Sequence, residues 1–232
     1  MRKTWLAVAV VALAMVLSSS SAFAGTIGPN CGSCNGGIYT LTYAYVSQNP
    51  LGNDVVNVTY TIDTHLVSLP VGGGGPYRID NVAVKVSSSL ISGILISAPG
   101  GVSNWNMVAG GLNANGCSGN GGGFDCAGAT SLSGAPIVPT GNPLVWVFQL
   151  TIPHCSLMLG TLGHCTNNGG ATDCATIKAR YVDKNGNKVG SLVSENITLT
   201  PPPPKVPEPG TMVLFGSGLI GLAGTLRRRF LS

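Results

Sequence analysis

Seven cysteines, three histidines and a few carboxylates are the side chains here with the most chemistry in them. Two ten-residue segments share one design: CSGNGGGFDC from Cys117 to Cys126 and CTNNGGATDC from Cys165 to Cys174 match at both cysteines, the Asn, the Gly-Gly pair and the closing Asp-Cys. Thiolates and carboxylates bind metals, yet one carboxylate per loop (Asp125, Asp173) is too few for a calcium cage of roughly six to eight oxygens. His154-Cys155 and His164-Cys165, with Cys31 and Cys34, contain enough imidazole and thiolate for a tetrahedral zinc. The ten-residue spacing of the two His-Cys pairs fits no zinc ribbon, however, and Cys165 is better used by its own loop. CGSC at Cys31–Cys34 has redox spacing, but it lacks both the strand-to-helix context of a reactive thiol and the following His of a haem site.

Catalytic patterns are equally thin. Asp63 and His65 in TIDTH share one strand face, as an Asp-His pair does, but no GxSxG elbow supplies a nucleophile. Glu195 is the sole Glu between the leader and the tail, so a glycosidase pair would have to be built from Asp residues. DKNGN at Asp183 opens like a calcium loop but lacks the required Gly and closing acid, and a hairpin turn explains it better. No catalytic, cofactor or metal residue is assigned.

Compartment decides the cysteines. Arg2 and Lys3 precede the apolar run Trp5 to Leu17, and AFA ends at Ala24 before Gly25; this predicts a signal peptide over 1–24, cut between Ala24 and Gly25 by signal peptidase. The run is shorter than the roughly 20 residues of a spanning helix. Outside the cytoplasm paired thiols oxidise. Bridges Cys117–Cys126 and Cys165–Cys174 are therefore expected, each worth about 2.7 kcal/mol in unfolded-chain entropy, with Asp125 and Asp173 bonded to loop amides. Cys31 pairs either with Cys34 or one of the two pairs with Cys155; an odd thiol remains for crosslinking between molecules.

The other end reads PPPPKVPEPGTMVLFGSGLIGLAGTLRRRFLS. The prolines make a stiff spacer over 201–206. The uncharged segment 211–226 would extend about 24 Å as a helix, slightly short of a hydrocarbon core of about 30 Å. Arg227, Arg228 and Arg229 belong on the cytoplasmic side.

Val206, Pro207, Glu208, Pro209 and Gly210, followed by the apolar segment and the Arg cluster, closely resemble the PEP-CTERM sorting signal of Gram-negative bacteria, also catalogued as the ice-binding protein C-terminal domain. The resemblance covers about the last 27 residues. It implies recognition by exosortase, a membrane transpeptidase that processes its substrates near the Pro-Glu-Pro, and transient anchoring in the inner membrane by the C-terminal helix. It implies an address rather than an activity.

With both ends set aside, the remainder carries seven basic residues (Arg78, Lys85, Lys178, Arg180, Lys184, Lys188, Lys205) and seven acidic ones (Asp54, Asp63, Asp80, Asp125, Asp173, Asp183, Glu195). A neutral body has no basic face for nucleic acid. Residues 25–200 are rich in Gly, Ser, Thr, Asn and Val, without helical periodicity. IYTLTYAYV from Ile38 and VVNVTYTID from Val55 alternate as half-buried strands. VAVKVSSSLISGILIS holds one or two more, and LVWVFQLTI from Leu144 suits a central strand. TIKARYVD and KVGSLVSENITL flank KNGN, whose Asn185-Gly186 suits a tight turn. VGGGGP at Val71 and GNGGGF at Gly119 are loops.

About seven strands predict an all-β, disulfide-braced antiparallel sandwich of immunoglobulin-like or jelly-roll type. The expected role is non-enzymatic, structural or adhesive, at the cell envelope or in its matrix, touching exopolysaccharide or other surface proteins. Thr40-Leu41-Thr42 and Thr59-Tyr60-Thr61 keep a carbohydrate- or ice-binding module as the first rival. A hydrolase with an unrecognised site is the second.

Overall fold

The structure, a computed structural model, describes residues 22–69, 75–158 and 174–200. The chain divides into two compact units, Met1–Pro201 and Pro202–Ser232, and every described residue lies in the first. Its strands are β1 (Ala22–Ile27), β2 (Ile38–Gln48), β3 (Asp54–Asp63), β4 (Tyr77–Lys85), β5 (Ser92–Ser97), β6 (Trp105–Ala109), β7 (Leu112–Asn113), β8 (Gly116–Cys117), β9 (Phe124–Ala129), β10 (Ile137–Val138), β11 (Leu144–Ile152), β12 (Ala175–Val182) and β13 (Val193–Ile197). All pairings are antiparallel. One sheet runs β1-β2-β3-β11-β5; the other runs β13-β12-β4-β9-β6 with β10 on β4, and β7-β8 is a separate hairpin.

Period-two alternation builds the first sheet. In β3, Val56, Val58, Tyr60 and Ile62 are buried while Asn57, Thr59 and Thr61 lie on the other face, and β-branched side chains are already stiff in the extended conformation. β11 alternates in the same way between β3 and β5, so its apolar run makes it a central strand with one open face. The two sheets share a single core: Tyr39, Leu41, Tyr60, Trp146 and Phe148 from one, Ile79, Val82, Ile177, Ala179 and Tyr181 from the other. Trp146 meets Trp105 edge-on at 5.4 Å between ring centroids, an arrangement that suits the ring quadrupoles. The buried Tyr39 hydroxyl donates to the Cys34 carbonyl at 2.9 Å and lies 2.8 Å from the Tyr181 hydroxyl, tying the sheets together.

One sequence expectation is revised: GNGGGF is a loop only up to Gly123, where Phe124 begins β9, which β4 and β6 flank on both sides. The Asn185-Gly186 turn reverses the chain as expected, with Gly186 at φ 82° and an antiparallel bridge between Val182 and Lys188, and β12 and β13 pair beyond it. Asp183 organises it, accepting the Asn185 and Asn187 amides at 2.8 and 2.9 Å, and β13 starts only at Val193. Burial works against the Asp183 charge, yet the amides of Asn187, Asn185 and Gly186 hold its carboxyl below the ordinary carboxylate value.

Among the described residues no helix is long and apolar enough to cross a membrane. The expected sorting helix, 211–226, lies outside them, as do the spacer 201–206 and signal residues 1–21.

Candidate functional site

The outer face of the five-stranded sheet gathers the Thr residues that alternation exposes. Register places Thr26 beside Thr40, Thr40 beside Thr61 and Thr61 beside Val145. The next row is Ala24, Thr42, Thr59 and Val147, and the one after it Ala44, Asn57, Gln149 and Ile94. The residues of these rows thus recur about 4.8 Å apart across strands and about 6.7 Å apart along them. Thr26 and Thr40 hydroxyls bond at 3.0 Å, and Gln149 Nε2 donates to Asn57 Oδ1 at 3.2 Å. No charged residue interrupts these three rows; the nearest is Asp63, at the end of β3 opposite Ile38.

On the second sheet, Cys117 and Cys126 form a disulfide with Cα atoms 5.7 Å apart. It fastens the β7-β8 hairpin so that Leu112 packs with Ala83 and Phe124 in a small satellite core, and the Lys178 ammonium sits 4.8 Å from the Phe124 ring centroid. Alternation turns the neighbouring Asp125 the other way, into the space between the sheets. Its carboxylate takes the Cys126 amide, but Oδ2 is buried without a partner, and desolvation pushes the pKa up to about 6. A Cβ on Gly93 would lie 1.5 Å from that oxygen, so β5 comes this close only because residue 93 has no side chain. Cys174 is buried and disulfide-bonded; Cys165 and Asp173 lie outside the described residues.

The two described histidines, His65 and His154, lie just beyond strand ends. His65 Nδ1 is 2.6 Å from Asp63 Oδ1, and this bond with that of the His65 amide holds the Asp63 carboxyl below its ordinary value. His154 Nδ1 is 2.9 Å from Asp54 Oδ1, and the Cys155 amide donates to Asp54 Oδ2 at 3.1 Å. Cys155 is exposed and unbridged. Of the residues weighed for zinc, Cys31 and Cys34 are bonded to each other and His154 Nδ1 faces Asp54; His164 and Cys165 lie outside the described residues.

One juxtaposition has no local sequence signal. Glu195, on β13 opposite Ile177, is buried, and one of its oxygens lies within 4.8 Å of the Cys31 and Cys34 sulfurs. Only the long-range fold brings a residue 161 positions away to the CGSC loop.

The predicted cleavage residues Ala24 and Gly25 fall inside β1. Ala24 forms a two-way backbone ladder with Thr200, at 3.0 and 2.9 Å. A Cβ on Gly25 would strike the Thr198 carbonyl at 2.2 Å. The sorting residues Val206, Pro207, Glu208, Pro209, Gly210, Arg227, Arg228 and Arg229 lie outside the described residues.

These features define an all-β domain with disulfide-braced loops. The PEP-CTERM protein-sorting motif matches residues 205–229. It makes the chain a protein sorted to the cell envelope and implies processing by exosortase. No curated protein and no solved structure matches the chain.

Proposed function

We propose that the exported domain, an antiparallel β-sandwich, works by contact rather than catalysis. On this reading it serves as a structural or adhesive component of the cell surface or its matrix. The uncharged Thr, Asn and Gln face of its five-stranded sheet meets neutral polysaccharide or neighbouring surface proteins. The observation that carries this reading is the set of three charge-free rows across β1, β2, β3 and β11. Hydroxyls and amides both donate and accept, as sugar hydroxyls do. The Val and Ala methyls between them suit the C–H faces of a sugar ring.

Affinity electrophoresis of the exported protein through gels containing neutral or acidic polysaccharide tests it. Retardation is expected in the neutral gel, persisting in high salt because no ion pair is involved. Replacing Thr42 and Thr59 by Arg should abolish it. Equal mobility of the two proteins in every gel removes the proposal. A second reading, contact with ice, is favoured by the in-register Thr26-Thr40-Thr61 row. Thermal hysteresis lost in the same double variant would select it.

A further inference from the structure

The Cys31-Gly32-Ser33-Cys34 loop joins β1 to β2 and covers the inward side of the edge strand β13. Its two cysteines differ in access: Cys34 is fully buried, whereas Cys31 is partly exposed. Beside them Glu195 is 3% exposed. Its Oε1 accepts the Ser33 hydroxyl at 2.5 Å, and that hydroxyl accepts the Ser194 amide at 3.3 Å. Its Oε2 is buried with no hydrogen-bond partner. No Lys, Arg or His pairs with Glu195 among the described residues. A purely structural bridge gains nothing from such a neighbour, because a buried carboxyl oxygen left unsatisfied is costly. A bridge that opens does gain, because the inner sulfur then needs a proton that water cannot readily deliver.

We propose that Cys31–Cys34 is an exchangeable disulfide that oxidises dithiols outside the cytoplasm, with Glu195 carrying the proton to and from Cys34. A thiolate of the incoming dithiol attacks the accessible Cys31 Sγ, the S–S bond breaks, and its electron pair leaves on Cys34 Sγ. Glu195, as the carboxylic acid, gives its proton to that buried thiolate and becomes the carboxylate. The partner's second thiolate then attacks its own sulfur in the mixed disulfide, closing the partner's bridge and releasing Cys31. The partner loses two electrons, and the two protons its thiols shed on becoming thiolates return through water to Cys31 and to Glu195, replacing the one that Glu195 gave to Cys34. Run backwards, the Glu195 carboxylate takes the Cys34 proton and makes it a nucleophile. This chemistry is independent of the sheet face; one domain oxidises one dithiol, and its own bridge is restored only when another disulfide takes the two electrons by the same exchange run in reverse.

The test treats the folded exported protein with dithiothreitol, traps thiols by alkylation at intervals, and maps each bridge by mass. Cys31–Cys34 should open at least tenfold faster than Cys117–Cys126. Glu195→Gln should slow that opening at least tenfold, a conservative threshold against the roughly hundredfold or more that a positioned acid contributes. It should also flatten the pH profile that remains after correction for the reductant's own thiolate fraction, and Glu195→Asp should restore part of both. An intact Cys117–Cys126 bridge in the Gln variant reports that the fold has survived. Opening of Cys31–Cys34 no faster than Cys117–Cys126 in the unaltered protein overturns the proposal, as does a Gln variant with unchanged rate and pH profile.

Discussion

Replacing Asp125 by Asn should make this protein more stable at neutral pH, and the gain should vanish in acid. The carboxylate faces the intersheet core beside Gly93 and Leu150, with Oδ2 unpaired, and burial raises its pKa from 3.8 to about 6. The folded state therefore keeps the proton that the unfolded chain has released. Stability contributed by this group is complete below the unfolded value and is lost as pH rises through the folded one. A shift of about two pKa units corresponds to about 3 kcal/mol lost by pH 7 and above. Asn keeps the acceptor for the Cys126 amide without the charge. Asp80, which burial also pushes up although Asn81 and Arg180 oppose it, is present in both proteins and cancels in the comparison. Urea unfolding of the two proteins across the acid-to-neutral range measures the difference: near zero below about pH 4, widening to about 3 kcal/mol in favour of Asn above about pH 7. Parallel stability curves at all pH values would refute the assignment of Asp125 as a buried, uncompensated charge.

Other outcomes can be stated more briefly. Gly93→Ala places a methyl against Asp125 Oδ2 and Leu150 and should cost about 1–3 kcal/mol in urea unfolding; in an Asp125→Ala background the cost should shrink, since the two sites share one clash. Serine at both Cys117 and Cys126 should lower the unfolding free energy by about 2.7 kcal/mol and expose the amides of the β7-β8 hairpin to hydrogen exchange. Cys155→Ser should remove disulfide-linked dimers from non-reducing gels of the oxidised protein, and dimers that persist would place the crosslink elsewhere. Alanine at Arg227, Arg228 and Arg229 should leave the C-terminal tail uncut, read as the intact mass of the exported protein.

Strand positions were legible where side chains alternate over eight or more residues. The Thr pairs of β2 and β3 were visible as two TxT stretches. That they stand opposite each other, with Thr26 and Val145 extending the row, depends on register, which is fixed by the buried partners Tyr39, Tyr60 and Trp146 rather than by the Thr residues themselves. The two-residue strands β7, β8 and β10 are too short to alternate, and β9 hides within a motif that looks like loop because Gly121 to Gly123 dominate it. Asp125 could be suspected of bonding to an amide, as it does with Cys126. Its inward direction follows from the β9 pairing with β4 and β6, which no local pattern announces. In the sequence Glu195 is only a solitary acid, and its place beside Cys31 and Cys34 is a product of three-dimensional closure.

The ladder between Ala24 and Thr200 gives the domain a mechanical seam. Tension on anything attached beyond Thr200 loads first the paired amides and the Thr200 hydroxyl bond to the Ala24 carbonyl, at 3.0 Å, before it reaches the core. A cut between Ala24 and Gly25 would take away one half of that seam. A protein so trimmed would hang from an edge that peels under load, whereas an uncut one would be stitched shut at the same point.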